Sequence, residues 1–407
     1  MKALFLTNEY PPHIYGGAGV HVDYLTRELA KRMEIEVRCF GNQKAEAKNL
    51  SVKGFDLNTE AYTCPKQLQS VFGAVQRCED FNTTNIDADI VHCHTWYTHL
   101  GGILAKLNYG LPLVITVHSL EPLRPWKREQ LGGGYDFSMW VEKTALEMAD
   151  AVIAVSQDTR KDLNRLFKID PEKIPVIHNG IDLQEYRKAT DVDVLEKCGI
   201  DPKIPYILFV GRITRQKGII HLVNAIKHLA PGFQVVLCAG APDTPEIEQE
   251  MKAAVAEAQK QREGVIWIRE MLDRKSTIQI YSHAAVFVCP SIYEPFGIIN
   301  LEAMACETAV VASAVGGIKE VVEDGKTGFL VPIEQMKESP FEALHPERFS
   351  KDLAEKVNKL MADEMLRASF AKAGRERVEK LFSWDAIAEK VSALYRQLLE
   401  KKGKNVC

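Results

Sequence analysis

The chain has 407 residues, of which 46% are hydrophobic and 26% are charged, and its formal net charge is -4. This length favours two domains, because single hydrophobic cores stop growing at about 250–300 residues. The mildly acidic balance gives no argument for a nucleic-acid partner. Apolar runs such as residues 149–155 are far too short to span a bilayer, so we expect no membrane association through a spanning helix.

The first residues and the cysteines indicate a cytoplasmic protein. The apolar run at residues 3–6 is followed at once by polar residues, so the N-terminus predicts a buried strand rather than a signal peptide. The nine cysteines are scattered without a C-x-x-C pair, which suits a reducing compartment. His92, Cys93 and His94, with His99 nearby, match none of the zinc spacings, and we predict no metal there.

Short apolar segments alternate with longer amphipathic segments along the whole chain. This alternation predicts parallel strands that are buried on both faces and joined by crossover helices. The predicted strands are residues 3–7, 36–40, 90–92, 113–116, 151–154 and 176–178 in the first half, and 206–210, 234–238, 265–268, 285–289, 309–312 and 328–331 in the second. Two such sets predict an α/β chain with two doubly wound, Rossmann-like domains.

A polar stretch between residues 180 and 205 predicts the domain boundary. We assign residues 1–183 to an N-terminal, acceptor-side domain and residues 184–383 to a C-terminal, donor-side domain. The tail, about 384–400, has the pattern of an amphipathic helix with no strand after it. We therefore expect it to pack back on a domain, the N-terminal one in our interpretation.

The most informative stretch is residues 294–302, in which Glu294 and Glu302 flank a loop containing Gly297. The stretch follows a predicted strand and precedes a predicted helix. The free N–H groups of a helix's first turn and the helix macrodipole favour an anion such as phosphate. Carboxylates would repel a phosphate but accept hydrogen bonds from hydroxyl groups. The combination predicts a nucleotide-sugar site.

Three further loops carry residues suited to the same ligand. Gly16 and Gly17 lie before a predicted helix, although their spacing matches neither G-x-G-x-x-G nor a P-loop, and a flexible turn is the alternative. Arg212 and Lys217 follow a strand and can neutralise a diphosphate, unless they belong to an ordinary solvated loop. His118 also follows a strand and can bond a sugar hydroxyl, or else is satisfied by the backbone.

All four features follow strands, so each lies at the carboxyl-terminal edge of a sheet, where open α/β sheets bind ligands. If the two domains face each other, the four features line one cleft. This agreement predicts an active site in an inter-domain cleft.

The same residues resemble the retaining glycosyltransferases of the GT-B architecture, family 4 type, which have two facing Rossmann-like domains and an E-x7-E motif. The resemblance covers essentially the whole chain. Residues 8–12, 15–22, 118–127, 238–246 and 300–306 are more narrowly similar to the short bacterial glycogen synthases of the actinobacterial type. That group implies a cytoplasmic hexosyltransferase with ADP-glucose as donor and growing α-1,4-glucan (glycogen) as acceptor. Some members instead transfer glucose to glucose 1-phosphate and make maltose 1-phosphate.

The resemblance implies a role for each matched residue. The diphosphate would be held by Arg212, Lys217, the glycine loop at Gly16 and Gly17, and the helix start at Gly297, Ile298 and Ile299. Glu294 would accept from the glucose 3- and 4-hydroxyls, Glu302 from the ribose, and His118 would contact the 6-hydroxyl or the anomeric centre. Attack would occur on the same face as departure, without an enzyme nucleophile, and we expect no metal or other cofactor.

Two details remain open at this stage. Arg124, Lys127 and Arg128 follow the His118 loop and bind either the phosphate of glucose 1-phosphate or, as ordinary loop residues, solvent or glucan. Glu307 stands where the family usually has Gly, a residue suited to a helix C-cap with positive φ. We expect a local change in that turn.

Other functions fit the same pattern. A GT-B transferase using a UDP- or GDP-sugar would differ in its donor, and an epimerase of the same fold would differ in the sugar it releases. A nucleotide-sugar sensor would have no use for both His118 and Glu294 at the anomeric site. The sequence predicts no oligomeric state.

Overall fold

The structure is a computed structural model that describes residues 1–57, 63–336 and 341–405. The chain divides into two compact units. Unit 1 contains Met1–Gly180 and Trp384–Cys407, and unit 2 contains Ile181–Ser383. The sequence placed the first division after residue 183, whereas the units divide after Gly180.

Unit 1 is built on a seven-stranded sheet with the order β3-β4-β2-β1-β5-β6-β7. All neighbours in this sheet are parallel except β3 and β4. The strands are β1 (Lys2–Thr7), β2 (Glu34–Phe40), β3 (Lys44–Ala47), β4 (Leu50–Phe55), β5 (Ile90–His94), β6 (Leu113–Val117) and β7 (Ala151–Ala154).

Two details of this sheet differ from the sequence prediction. The hairpin of β3 and β4 was missed because all four residues of β3 are exposed, and such a strand has no apolar alternation to reveal it. The strand predicted at residues 176–178 is wrong, since only Val176 forms an isolated bridge with Ala154.

Helices cover the sheet of unit 1, with α2 against α3 and α3 against α5. They are α1 (Gly17–Leu29), α2 (Lys66–Thr83), α3 (Trp96–Tyr109), α4 (Lys127–Leu131), α5 (Gly134–Met148) and α6 (Gln157–Leu166), with 3-10 turns at Glu121–Leu123 and Pro171–Lys173.

Unit 2 has an all-parallel sheet of six strands in the order β10-β9-β8-β11-β12-β13. The strands are β8 (Tyr206–Arg212), β9 (Gln234–Gly240), β10 (Val265–Ile268), β11 (Val286–Cys289), β12 (Ala309–Ser313) and β13 (Gly328–Val331). Val235, Leu237 and Val288 are fully buried among them, as expected of central parallel strands.

The helices of unit 2 are α7 (Asp193–Lys197), α8 (Ile219–Ala225), α9 (Pro245–Gln261), α10 (Arg274–His283), α11 (Ile298–Ala305), α12 (Ile318–Val321), α13 (Pro346–Ala362) and α14 (Glu364–Leu381), with a 3-10 turn at Ile226–His228. The prediction of two parallel-sheet α/β domains is confirmed. Among the described residues, no helix combines the length and the apolar character needed to cross a bilayer.

The last helix, α15 (Trp384–Asn405), belongs to unit 1 and packs on α1. Its Trp384 ring stacks on Tyr24 with the centroids 5.8 Å apart. Tyr395 lies about three turns further along the same helix. Its side chain is fully buried, and its hydroxyl lies 2.6 Å from Nδ1 of His92, at hydrogen-bond distance.

In both sheets, the strand order reverses at a strand that is followed by one of the predicted site loops. In unit 1 the order turns at β1, which has β2 on one side and β5 on the other; in unit 2 it turns at β8, between β9 and β11. Connections diverge there and leave a crevice beyond the carboxyl ends of the strands. The glycine loop follows β1, and the loops that carry Lys217 and Glu294 follow β8 and β11.

Candidate active site

In unit 2, an ion pair between the half-buried Lys217 and the buried Glu294 joins the loops after β8 and β11. Nζ of Lys217 donates to Oε2 of Glu294 at 2.6 Å, and Oγ of Ser291 donates to the same oxygen at 3.2 Å. Burial disfavours the charged lysine, but the carboxylate of Glu294 outweighs it and raises the pKa of Lys217. The described hydrogen bonds of Glu294 thus converge on Oε2, and Oε1 keeps its lone pairs for a ligand.

Close backbone contacts hold these two loops together. Gly218 has φ +59°, and a Cβ there would collide with the carbonyl oxygen of Pro290. The N–H of Ile292 donates to the carbonyl of Gln216 at 3.0 Å. After β12, Gly316 has φ +49° and lies against the carbonyl of Glu294, to which Gly317 N–H donates at 3.0 Å. Glycine is therefore required at Gly218 and Gly316 by both conformation and space.

Arg212, the last residue of β8, is held by an acid from the loop after β9. Its Nη2 donates to Oδ1 of Asp243 at 2.5 Å, and the Asp243 side chain is only 6% exposed. Asp243 therefore holds the guanidinium of Arg212 in place and compensates its positive charge.

The start of α11 has the geometry predicted for an anion site. Gly297 precedes the helix with φ +94°, and no side chain of the described residues caps the helix start. Ile298 and Ile299, the first two helical residues, are half-buried. Their N–H groups have no partner within the helix, since intrahelical donors begin further along.

Glu302 is bonded differently from the sequence expectation. Its Oε1 and Oε2 each accept a phenol proton, from Tyr186 and Tyr281 respectively, both at 3.1 Å. Burial raises the pKa of Glu302, although these two phenols act in the opposite direction. The proposed ribose contact of Glu302 stays a prediction, and any ribose hydroxyl would share the carboxylate with both tyrosines.

In unit 1, the glycine loop already holds a carboxylate. Oε2 of Glu9 accepts from the N–H groups of Tyr15 at 2.9 Å and Gly16 at 2.7 Å. A Cβ at Gly19 would lie 2.7 Å from the same oxygen, so a side chain there would displace the carboxylate. Gly17 is the first residue of α1, whereas the sequence prediction placed it before the helix, and the Gly16 amide is occupied by Glu9.

His118 lies next to two other imidazoles rather than alone. Its Nε2 is 3.0 Å from Nδ1 of His94, the last residue of β5. The ring of His21, from α1, lies edge-on with its centroid 4.8 Å from that of His118. Burial lowers the pKa of all three rings, that of His21 to about 4, so they are neutral near pH 7.

The three cations suggested for the acceptor differ in surroundings. Arg128 pairs with Asp136 on the surface, where both side chains are more than half exposed. Nζ of Lys127 donates to Oε1 of Gln130 at 2.6 Å. Arg124 is only 19% exposed, and its Nη1 donates to Oγ of Ser119 at 3.0 Å and to Oε1 of Glu121 at 3.4 Å.

Within each unit, the structure brings the predicted residues close to partners that sequence reasoning missed. In unit 2, Glu294 contacts Lys217 and lies next to Gly297 at the start of α11, and in unit 1 His118 has neighbours from two other elements. These missed partners are Glu9, His21, Tyr186, Asp243, Tyr281, Ser291 and Gly316. Gly316 and Gly317 gave one usable signal, since a glycine pair in the loop after a predicted strand permits a close backbone approach.

Two family models match the chain, one for each half. The model of Glycosyltransferase Family 4 matches residues 15–185, and that of Glycosyl transferases group 1 matches residues 194–340. The sequence is 48% identical over 404 residues to the alpha-maltose-1-phosphate synthase of Mycolicibacterium smegmatis, covering 98% of this chain and 100% of the relative. It is 47% identical to the protein of that name from Mycobacterium tuberculosis, with the same coverage.

Solved structures give the same fold. Sucrose-phosphate synthase from Thermosynechococcus elongatus is similar with a TM-score of 0.79 and 26% identity, covering 98% of this chain and 100% of that one. The catalytic domain of Starch Synthase IV from Arabidopsis thaliana, bound to ADP and acarbose, has a TM-score of 0.72 at 18% identity, with 98% and 99% covered. The protein therefore belongs to the GT-B glycosyltransferases, in the group that includes the actinobacterial alpha-maltose-1-phosphate synthases, and is a hexosyltransferase.

Proposed function

We propose that the enzyme transfers glucose from ADP-glucose to glucose 1-phosphate and releases maltose 1-phosphate and ADP. The observation that carries this proposal is 48% identity, over nearly the full length of both chains, to a protein named for that product. Glycogen elongation, which the sequence resemblance put first, has no support from the names of these relatives. We therefore prefer the alternative acceptor.

Arg124 is the residue we assign to the acceptor phosphate. Its Nη1 is fixed by Ser119 and Glu121, while the buried Nε has no hydrogen-bond partner among the described residues. An unpaired buried N–H is costly, and a guanidinium edge formed by Nε and Nη2 matches two oxygens of a phosphate. Lys127 and Arg128 already have side-chain partners and are assigned no phosphate role.

A buried acid pair supports Arg124 in this role. Glu121 is 2% exposed and accepts from Oγ of Ser138 at 3.0 Å, while its N–H donates to Oε2 of Glu142 at 2.9 Å. Burial and the neighbouring Glu121 carboxylate raise the pKa of Glu142 well above its usual range. A proton held by Glu142 removes like-charge repulsion beside Glu121, the acid that contacts Arg124.

The donor side of the proposal uses unit 2. Arg212, Lys217 and the amides of Ile298 and Ile299 stabilise the charge that collects on the ADP as the anomeric C–O bond breaks. Cations and dipoles held in advance by Asp243 and Glu294 need no reorganisation at that moment. This arrangement supports catalysis without a metal ion.

In the proposed reaction, glucose C1 loses its bond to the β-phosphate oxygen and gains one to the acceptor 4-hydroxyl oxygen. The departing phosphate takes the hydroxyl proton, so attack and departure share one face and the α configuration is retained. Glu294 accepts from the sugar hydroxyls through Oε1, and His118 contacts the sugar near the reacting centre. Glu302 remains the residue proposed for the ribose.

The direct test is the product formed by the purified enzyme. ADP-glucose is incubated with glucose 1-phosphate or with glycogen, and the products are identified by mass spectrometry and NMR; UDP- and GDP-glucose are run in parallel. We expect α-maltose 1-phosphate from the mixture with glucose 1-phosphate. We expect little transfer of glucose to glycogen in the other mixture. Polymer elongation with no disaccharide phosphate would overturn the proposal.

The phosphate assignment is tested with a matched pair of variants. We expect Arg124→Ala to raise the KM for glucose 1-phosphate by about 10-fold to 100-fold, as expected for loss of a charged hydrogen-bonding partner. Arg128→Ala, which removes an equal charge from a surface pair, leaves that KM unchanged. Equal KM values for both variants and the wild type contradict the role of Arg124.

A further inference from the structure

Three imidazoles from separate elements of unit 1 converge on one point. They are His21 on α1, His94 at the end of β5 and His118 just after β6. Each can offer one ring nitrogen, and these three nitrogens lie within 4.8 Å of one another. The ring centroids of His94 and His118 are 5.3 Å apart, and those of His21 and His94 are 5.5 Å apart.

The hydrogen bonds leave lone pairs directed into this cluster. Nδ1 of His21 lies 2.7 Å from Oδ1 of Asn179. An amide oxygen only accepts, so this nitrogen carries the proton and Nε2 of His21 carries the lone pair. Nε2 is buried, and no described residue bonds it. His94 Nδ1 and His118 Nε2 lie 3.0 Å apart, and one of them carries the proton that the other accepts. Both can ligate one ion once that proton moves away, as metal binding to histidine requires.

Burial keeps these rings in the form that binds metals. It lowers the pKa of His21 to about 4 and those of His94 and His118 well below the usual value. Neutral imidazole is the commonest metal ligand, and a ligating histidine usually donates its other N–H to a carbonyl or carboxylate. For His21, the amide oxygen of Asn179 is the acceptor of this other N–H.

We propose that His21, His94 and His118 form a binding site for one Zn²⁺ or a similar ion such as Co²⁺, with Asn179 as the outer partner of His21. A tetrahedral zinc with bonds of about 2.0–2.1 Å needs ligand nitrogens about 3.4 Å apart, so the rings must move inward by roughly 1 Å. Three histidines leave the fourth position to water. This group differs from His92, Cys93, His94 and His99, whose spacing along the chain matches none of the zinc patterns.

The site has a functional consequence that rests on the proposed function. Metal ligation fixes His118, the residue assigned to the donor sugar, so the bound ion acts as an inhibitor of transfer and not as a cofactor. Metal binding itself depends only on the three imidazoles. The two statements are therefore tested by separate measurements.

Binding is measured on the chelator-treated full-length enzyme by Co²⁺ titration, following the visible d–d absorption, and by Zn²⁺ displacement. We expect one Co²⁺ in a low-symmetry, four- or five-coordinate site. His21→Gln and His94→Gln should each weaken binding by more than about 10-fold, while His99→Gln, a buried histidine outside the cluster, should not. Thermal unfolding identifies any variant that has lost the fold.

A gain of affinity separates ligation from a general structural effect. Asn179→Asp places a carboxylate behind His21, which increases ligand basicity, so we expect tighter Co²⁺ binding by about 10-fold. A wild-type Co²⁺ spectrum of the weak octahedral kind, or binding that is unchanged in His21→Gln and His94→Gln, overturns the site. Binding at the cluster with full transferase activity retained overturns only the inhibition and points against a sugar contact by His118.

Discussion

Glu307 occupies a backbone conformation that suits glycine, and replacing it should stabilise the protein. Helix α11 ends at Ala305 with Cys306 as its C-cap, and two hydrogen bonds beyond it define a Schellman motif. Thr308 N–H donates to the carbonyl of Ala303 at 2.9 Å, and Glu307 N–H donates to that of Met304 at 3.1 Å. Glu307 itself has φ +57°. The local change of turn expected from the sequence is therefore wrong: the turn is kept, and Glu307 takes the left-handed conformation.

The size of the effect follows from two opposing terms. A left-handed residue with a Cβ costs about 1–2 kcal/mol. Glycine removes this strain, but its greater freedom stabilises the unfolded chain by about 0.4–1 kcal/mol relative to alanine. The net gain is about 0.8 kcal/mol. The side chain contributes little, because Lys188 and Glu307 are about half exposed and their charged atoms are 3.8 Å apart.

The assay compares Glu307→Gly with Glu307→Ala by calorimetry. Both variants lose the contact with Lys188, so their difference isolates the backbone term. For a unit of about 150–250 residues, 0.8 kcal/mol corresponds to roughly 2–3 °C in the unfolding midpoint. A glycine variant no more stable than the alanine variant would refute a left-handed Glu307. Transferase activity should stay unchanged, since residues 294–302 are intact in both variants.

Three further results are expected. Lys217→Ala should lower kcat by about 100-fold or more with a smaller change in KM, because the lysine charge acts on the leaving phosphate. The control variant Lys227→Ala should leave both constants unchanged. A change in KM alone, measured by steady-state kinetics, contradicts this role of Lys217. Glu142→Gln should flatten the pH dependence of stability. The folded wild type holds a proton on Glu142 that the unfolded chain releases above about pH 4.5, so its stability falls with rising pH by about 1.4 kcal/mol per unit until the raised folded pKa is passed. The free energy of unfolding is measured by urea titration at several pH values. The control variant Glu129→Gln, at an exposed position, should keep the pH dependence of the wild type. EDTA should not lower transferase activity, and a loss restored by Mg²⁺ would contradict metal-free catalysis.

The sheets could be predicted because their strands are nearly continuous apolar runs. Val286–Cys289 and Ala309–Ser313 are buried on both faces, and only the last residue of the second strand, Ser313, is polar. The exposed strand Lys44–Ala47 gave no such pattern and was missed. Burial on two faces is a property that a sequence displays, whereas pairing at the edge of a sheet is not.

Within the candidate site, the sequence displays which residues share a loop but not which loops contact each other. Glu294, Gly297 and the α11 start are contiguous, so their relation to the strand and the helix is visible in the sequence. The pairs Arg212–Asp243 and His21–Asn179 join residues far apart in the chain. No local pattern encodes them, because each depends on how neighbouring strands are ordered in the sheet.

The anion-binding features predicted from the sequence already hold carboxylates of the protein. Glu294 contacts Lys217, and Glu9 contacts the glycine loop. A half-buried cation needs an opposite charge while no ligand is bound, because desolvating a lone charge is expensive. Lysine has three donors, so Lys217 can keep Glu294 and still donate to a phosphate. Glu9 differs, because it takes up the amides of Tyr15 and Gly16 themselves. A phosphate can therefore share the site at Lys217, but at Gly16 it must replace Glu9.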